Sequence, residues 1–495
     1  MRSRPSFVLG RTVPLRATCM ALGLPLLLAG CAQLPDWQGK ASLDRPLPTD
    51  LSASAHAPTL PWPQAQWWQR YGDAQLNALI DEALQGAPDM AAAAARVRQA
   101  QALLGVQQSS TRPQLSANAS VSGEKFSHNY LTPSAMTPDG LNDTGRATLN
   151  LHWSLDLWGQ QRAAIAAAAG ELQARQADAA QARLLLSSNV ALAYADLLRL
   201  GANARTLAQS VQVRTTTVTL FQERFDHGLE NQGSVHGAQA RLAAARAELA
   251  QAQELVALQR HRIAALVGAT PERGDAITVP DSALAQPWQQ QWGLPAQLPA
   301  HLLGRRPDVV AARLQAQALE SRAAAKEAAF YPDVNLSALV GVQALGLDML
   351  THGGSSIASV GPAITLPIFN GGRLRAELGA ARAGYDEAVA HYHATLNRAL
   401  QEVADNAASQ RALGQQLSAL QQAVQSATEA HRVARNRYEG GLANHLEVLN
   451  AEDLLLANVR QLVQVQTRAL ALDIELHRAL GGGWQADDPA PAPQA

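Results

Sequence analysis

Residues 149–157 read Leu149-Asn150-Leu151-His152-Trp153-Ser154-Leu155-Asp156-Leu157, apolar and polar side chains alternating without a break. A period of two sends successive side chains to opposite faces of an extended chain, so this stretch predicts a β-strand with one apolar and one polar face. Three more stretches carry the pattern. Leu115, Ala117, Ala119 and Val121 alternate with Ser116, Asn118, Ser120 and Ser122. Further on, Val334, Leu336, Ala338, Val340 and Val342 share one face, and Val360, Pro362, Ile364, Leu366 and Ile368 share another. Segments of about 9–11 residues, apolar outward and polar toward a lumen, are what a strand crossing a membrane in a β-barrel requires. Four strands cannot close a barrel, because the smallest have about eight and lipid tolerates no open sheet edge. Several copies of the chain must therefore share one barrel.

The strand pairs belong to an internal repeat. Ala87-Pro88-Asp89 matches Arg306-Pro307-Asp308, and Pro113-Gln114-Leu115 matches Pro332-Asp333-Val334, both at a separation of 219 residues. Later, Arg224-Phe225-Asp226-His227-Gly228-Leu229 matches Arg437-Tyr438-Glu439-Gly440-Gly441-Leu442 at 213 residues, and Gly268 falls on Gly481 at the same spacing. The shrinking offset puts extra residues in the first copy, and the polar stretch from Gly123 to Gly145 is where a loop would hold them. The organisation expected is a signal peptide over 1–30, a first repeat over 31–269, a Pro-rich linker over 270–300, a second repeat over 301–483 and a tail over 484–495.

Long helical patterns follow each strand pair, from Gln160 to about Phe225 and from Arg373 to about Tyr438. At about 1.5 Å per residue each approaches 100 Å. Apolar positions advance in alternating steps of four and three: Leu186, Val190, Ala193, Leu197, Leu200, Ala204, Leu207 and Val211 in the first, Leu413, Leu417, Leu420, Val424, Ala427 and Ala434 in the second. That seam implies coiled-coil packing. Shorter helices, Asp89 to Ser109 with Ser234 to Leu266 and Asp308 to Phe330 with Leu446 to Leu480, complete the copies, and the long helices turn back at Gly228 and Gly440-Gly441. The fold class is an α+β membrane protein, a duplicated unit giving four strands per subunit of a shared transmembrane β-barrel together with long coiled-coil helices.

Arg2, Arg4, Arg11 and Arg16 precede a short apolar stretch from Cys19 to Ala29, followed by Gly30-Cys31. This is a secretory signal, and its apolar stretch is too short to cross a bilayer as a helix. Leu28-Ala29-Gly30-Cys31 resembles the bacterial lipobox, in which the cysteine is diacylated and becomes the mature N-terminus. Ala32 rather than aspartate follows, which in the lipoproteins this resembles directs delivery to the outer membrane. Of two cysteines, Cys19 lies in the signal and Cys31 carries lipid, so no internal disulfide forms in the mature chain. No other cofactor is expected. Charged residues are 16% of the chain and its formal net charge is −1, made more acidic by loss of the signal's arginines, so nothing points to nucleic acid.

No catalytic pattern competes. His391 and His393 stand two apart on a helix, on different faces, whereas a helical metal pair needs a spacing of three or four. They are expected to be solvated, and no metal site is expected. Neither a phosphate-cradling P-loop nor a G-x-S-x-G nucleophile turn is present in the sequence, so energy for any transport must come from a partner.

Trp67-Trp68-Gln69-Arg70-Tyr71-Gly72-Asp73, then Leu76, Leu79-Ile80, Ala83-Leu84 and Pro88-Asp89, resemble the opening of the outer-membrane lipoproteins of RND-type drug-efflux systems, in the TolC-like outer membrane factor family. Leu366-Pro367-Ile368-Phe369-Asn370-Gly371-Gly372-Arg373 and Ala479-Leu480-Gly481-Gly482-Gly483-Trp484 look like two more markers of that family. The resemblance runs from Cys31 to Trp484. It implies a homotrimer with a twelve-stranded barrel in the outer membrane, an α-helical barrel in the periplasm, a lipid anchor, and a periplasmic adaptor joining it to an inner-membrane pump. Small toxic compounds would leave by passive conduction through a gated tube. A type I protein-secretion duct and a structural coiled-coil lipoprotein or adaptor without a pore are the alternatives. By the same resemblance the gate lies at the second turn: Leu446 takes the place of an apolar constricting ring, Glu447 and Asn450 those of acidic ring positions, and Tyr438 that of a hydrogen-bonding tyrosine that locks the gate. Asn450 departs from the usual aspartate, so the ring's field would fall to Glu447, or to Asp453 if the helix phase allows.

Overall fold

The computed structural model describes residues 35–44, 61–129, 133–280 and 304–486. The expected signal peptide and Cys31 lie outside the described residues, as do 281–303 and 487–495. Their helices and strands run, in chain order, α1 Ala74–Gly86, α2 Pro88–Ser109, β1 Gln114–Glu124, β2 Asn142–Leu155, α3 Gln160–Asp226, α4 Gln232–Leu266, α5 Pro271–Asp275, α6 Pro307–Ala328, β3 Asp333–Leu345, β4 Ser356–Thr365, α7 Arg373–Glu439 and α8 His445–Ala479. A 22-residue helix precedes each strand pair, α2 in one case and α6 in the other. Helices of 67 residues, α3 and α7, then of 35 residues, α4 and α8, follow it. The connection between β1 and β2, residues 125–141, is longer than the 346–355 connection between β3 and β4. None of the described helices is long and apolar enough to cross a membrane.

The chain divides into two compact units. Among the described residues, the sheet unit comprises 35–42, 100–129, 133–172 and 315–390, and the helical unit 43–44, 61–99, 173–280, 304–314 and 391–486.

In the sheet unit the four strands lie in the order β1-β2-β3-β4, every neighbour antiparallel, with β1 and β4 as edges. The register lines up the apolar sets. Leu115 pairs with Leu151 and Ala117 with Leu149, which in turn face Ala338 and Val340 on β3. Leu336 and Ala338 then face Pro362 and Val360 on β4. Since side chains alternate across a strand, this register puts the four apolar sets on one face of the sheet. That face is open: Leu115 is 68% exposed, Val360 77% and Ile364 69%. The opposite face is polar through Ser116, Asn118, Asn150, His152, Asn335 and Ser337, with Leu339 and Ile357 as departures.

Two expected strand ends are corrected. Leu157 lies beyond β2, because the Asp156 carboxylate accepts from Gln161 N at 3.1 Å and Arg162 N at 2.9 Å and turns the chain into α3. Leu366 and Ile368 lie beyond β4, where Pro367 has no N–H for a ladder.

The helical unit is centred on Trp68, Leu76, Leu79, Ile80, Val190, Tyr194, Leu197 and Ile263, with Ile474 of α8 among them. Asp73 fixes the start of α1, accepting from Leu76 N at 3.0 Å and from the Tyr194 hydroxyl at 2.7 Å. The opening and closing sequence markers meet here. Trp67 stacks on His477 with centroids 5.4 Å apart, Tyr71 donates to Asp473 at 2.6 Å, and a Cβ on Gly482 would collide with Leu184 and crowd Trp67. In the second copy Arg306 replaces Ala87. It is buried, and pairs with Asp308 and Glu402, both at 2.7 Å, while reaching the Ala479 carbonyl at 3.2 Å. The seam of α3 is buried at Leu186, Val190, Ala193, Leu197, Leu200 and Leu207, and half-buried at Ala204 and Val211; that of α7 is buried at Leu413, Ala427 and Ala434 and half-buried at Leu417, Leu420 and Val424.

Candidate functional site

The two long helices end in the same turn. Leu229 N donates to Arg224 O and Leu442 N to Arg437 O, both at 2.8 Å, and Gly228 and Gly441 take φ of 71° and 72°. Only glycine adopts that left-handed conformation without a Cβ penalty, so these glycines stop the helices. The next helices start on asparagine caps: Asn231 accepts from Ser234 N at 3.0 Å and Asn444 from Glu447 N at 3.2 Å. Backbone and caps thus repeat at the 213-residue offset, but side chains do not. Phe225, Gln232, Gly233, Ser234, Gly237 and Ala240 in the first turn correspond to Tyr438, His445, Leu446, Glu447, Asn450 and Asp453 in the second.

Leu446, Glu447, Asn450 and Asp453 are all exposed, Leu446 at 51%, whereas Val448, Leu449 and Glu452 are buried. Spacings of three, four and seven return to the same side of a helix, so the four share one outward face of α8. Asp453 thus lies on the same helix face as Leu446 and Asn450. Glu447 is held by Arg437 at 3.1 Å, and Asp453 by Arg214 of α3 at 2.7 Å. Arg214 also donates to the Arg241 carbonyl of α4 at 3.2 Å, tying three helices together.

Tyr438 is placed by rings rather than by a hydrogen bond. Its ring meets His445 edge-on at 4.8 Å, His445 meets Phe221 of α3 at 4.6 Å, and the Arg224 guanidinium lies 5.5 Å over the Tyr438 ring. The Tyr438 hydroxyl is buried and has no hydrogen-bond partner among the described residues. Sequence reasoning missed Arg437 and Arg214, and it missed His445. The first two were legible only as basic residues, since their acidic partners come from other helices. Glu452 was missed as well: burial, foremost, lifts its pKa, against the pull of Arg214.

In the sheet unit, residues 35–42 bind helices α6 and α7. Trp37 meets Tyr385 edge-on at 5.2 Å, Ala41 N donates to Asp386 at 3.0 Å, and the Tyr385 hydroxyl donates to Ala41 O at 3.0 Å. Lys40 lies 5.0 Å over Trp37 and pairs with Glu320, and Arg382 donates to Pro35 O. Cys31 itself lies outside the described residues. His391 is exposed, as expected, but His393 is half-buried with its Nε2 unpartnered, because the neighbouring Tyr392 packs into the core. Among the described residues no group of three or more His, Cys, Asp or Glu is arranged to hold a metal.

The model of the outer membrane efflux protein family matches residues 79–269 and 298–482. The chain is 31% identical over 475 residues to the multidrug resistance outer membrane protein MdtP of Shigella flexneri, covering 94% of this chain and 96% of that one. It is 38% identical over 372 residues to the fusaric acid resistance protein FusA of Burkholderia cepacia, covering 73% and 68% respectively. Among solved structures, the outer membrane protein VceC of Vibrio cholerae is similar with a TM-score of 0.78 and 46% identity, covering 85% of this chain and all of that one, 100%.

Proposed function

Because the chain belongs to the outer membrane efflux protein family, we propose that it works as one subunit of a gated tube through which small toxic compounds leave the cell passively. The observation that carries this reading is the sheet. Its apolar side chains stand in register across four strands on one open face, and among the described residues no further strand pairs with either edge. A sheet of that kind is stable in lipid only when its edges are closed by other copies. A homotrimer with a twelve-stranded barrel meets the requirement. The long helices, with Leu417, Leu420 and Val424 of the second seam half-buried in one chain, supply the periplasmic tube. A periplasmic adaptor and an inner-membrane pump provide the energy, and acyl chains on Cys31 supply a second hold on the outer membrane.

The gate is assigned to the outward face of α8: Leu446 narrows the aperture, while Glu447 and Asp453 supply carboxylates in place of the acid missing at Asn450. Carboxylates repeated around a narrow mouth concentrate cations by focusing the field. Tyr438 braces the turn. Purified full-length protein tests the whole reading: it should run as a heat-sensitive trimer on gels and insert into planar bilayers as a conducting pore. A monomer that neither trimerises nor conducts would overturn it in favour of a structural coiled-coil lipoprotein.

A further inference from the structure

At one position the second turn carries a titratable ring where the first has none, His445 in place of Gln232. We infer that His445 is a proton-operated catch on the gate: its neutral imidazole, set between Phe221 of α3 and Tyr438 of α7, holds the turn closed, and a proton on it releases the turn. The inference rests on the gate reading above.

The geometry is that of a wedge. The ring touches one aromatic side chain on each neighbouring helix, at 4.6 and 4.8 Å, and Phe221 is itself buried with Val235 and Ala238 of α4. The imidazole Nδ1 is buried and has no hydrogen-bond partner among the described residues, so the packing suits the neutral ring's apolar surface and gives a proton on Nδ1 no acceptor. The ionisable groups around it come from every side. Arg224 approaches from α3, Glu230 from the first turn and Arg241 from α4, with the Tyr438 phenol on α7. On α8 the adjacent acid, Glu447, is occupied by Arg437. A proton on His445 would thus add a cation beside two arginines, with Glu230 alone to oppose it. Burial first, then Arg241 and Arg224, hold the imidazole below its ordinary value of 6.5.

The sign follows from that direction. The closed turn binds the proton less readily than an opened, hydrated one, so acid favours opening. The effect is absent well above pH 6.5 and grows as the pH falls below it. Each titrating subunit can shift the open-to-closed ratio by at most about tenfold per pH unit.

Single-channel recordings of the full-length trimer, from about pH 7.5 to about 5.5, test this. Wild type should open as the pH falls, and H445Q should lose that step whatever its conductance at neutral pH. E452Q should retain it, which separates His445 from the buried carboxyl two turns further along α8. An acid step that persists in H445Q, or that disappears in E452Q, overturns the catch. So does a His445 NMR signal, assigned by its loss in H445Q, that titrates at or above the ordinary histidine value. The gate reading has its own arm: L446A should raise conductance at neutral pH. If it does while the acid step survives in H445Q, only the catch is lost. If L446A, Y438F and E447Q all conduct and select as wild type does, the gate reading falls and the catch falls with it.

Discussion

At the residue scale, the second turn is a place where single side chains have separable effects. Leu446 is exposed on the outward face of α8, so Leu446→Ala should widen the aperture and raise single-channel conductance without unfolding the turn. Tyr438→Phe keeps the ring contacts with His445 and Arg224 and removes only the hydroxyl. Among the described residues that hydroxyl is buried and unpartnered, which costs about 1–3 kcal/mol unless a neighbouring subunit receives it. The expected rise in conductance of Tyr438→Phe is therefore also a test of whether a neighbouring subunit bonds the hydroxyl. Glu447→Gln should reduce cation preference. If all three variants conduct and select as wild type does, the gate lies elsewhere. A second expectation concerns His477, deep in the helical unit. Its Nδ1 donates to the Asp473 carbonyl at 2.8 Å, its Nε2 contacts Arg70 at 2.8 Å, and its face is covered by Trp67. Nε2 can meet a guanidinium only as an acceptor, so the folded ring is neutral, and burial, foremost, lowers its pKa below 6.5. Stability from this group is complete above pH 6.5 and declines as the pH falls below it, by at most about 1.4 kcal/mol per pH unit. Thermal midpoints measured across that range should fall less steeply in His477→Gln than in wild type.

At the element scale, the strands carry the sharpest contrast. An arginine at Leu151 or Leu336 puts a charge on the apolar face and should cost about 2–4 kcal/mol near the membrane midplane. The fraction of heat-sensitive trimer on unheated gels reads this directly. Arginine at Asn118 or Asn150, on the polar face, should leave the trimer intact, and equal loss at all four positions would reject the assigned faces. Asn335 shares the polar face but is unsuited to the comparison. It is 9% exposed and bonded to Asp333 at 2.8 Å, so an arginine there meets packing as well as polarity. The alternation at 149–155 was legible because a strand's side-chain period is two, whatever surrounds it. The ends of β2 and β4 were not, because they are set by the Asp156 carboxylate reaching the start of α3 and by Pro367 withholding a donor.

At the scale of the whole molecule, β1 and β4 are the sheet's edges among the described residues, which makes assembly a condition of stability in lipid, and the acyl group proposed on Cys31 would be a separate attachment. Cys31→Ser should abolish labelling by radioactive palmitate yet leave pore formation in planar bilayers. Continued acylation of that variant would remove Cys31 as the modified residue. Loss of conductance in an unacylated but trimeric protein would mean that the anchor contributes to the channel itself.

The sequence by itself determined the four strands, the long helices and their duplication, whereas the short helices α1 and α5 were not read from it. Helix and strand periods, asparagine caps and left-handed glycines act over a few residues, so they can be read without knowing what packs on them. It also located the turn and the α8 residues Leu446, Glu447, Asn450 and Asp453, through the repeat and the family markers. The tertiary structure alone decided their surroundings. Arg214 reaches Asp453 across 239 residues of chain, and Phe221, Tyr438 and His445 come from three helices to form one ring cluster. Those contacts depend on how helices pack side by side, which no local pattern encodes. The same packing turned Glu452, an ordinary acid in the sequence, into a buried one.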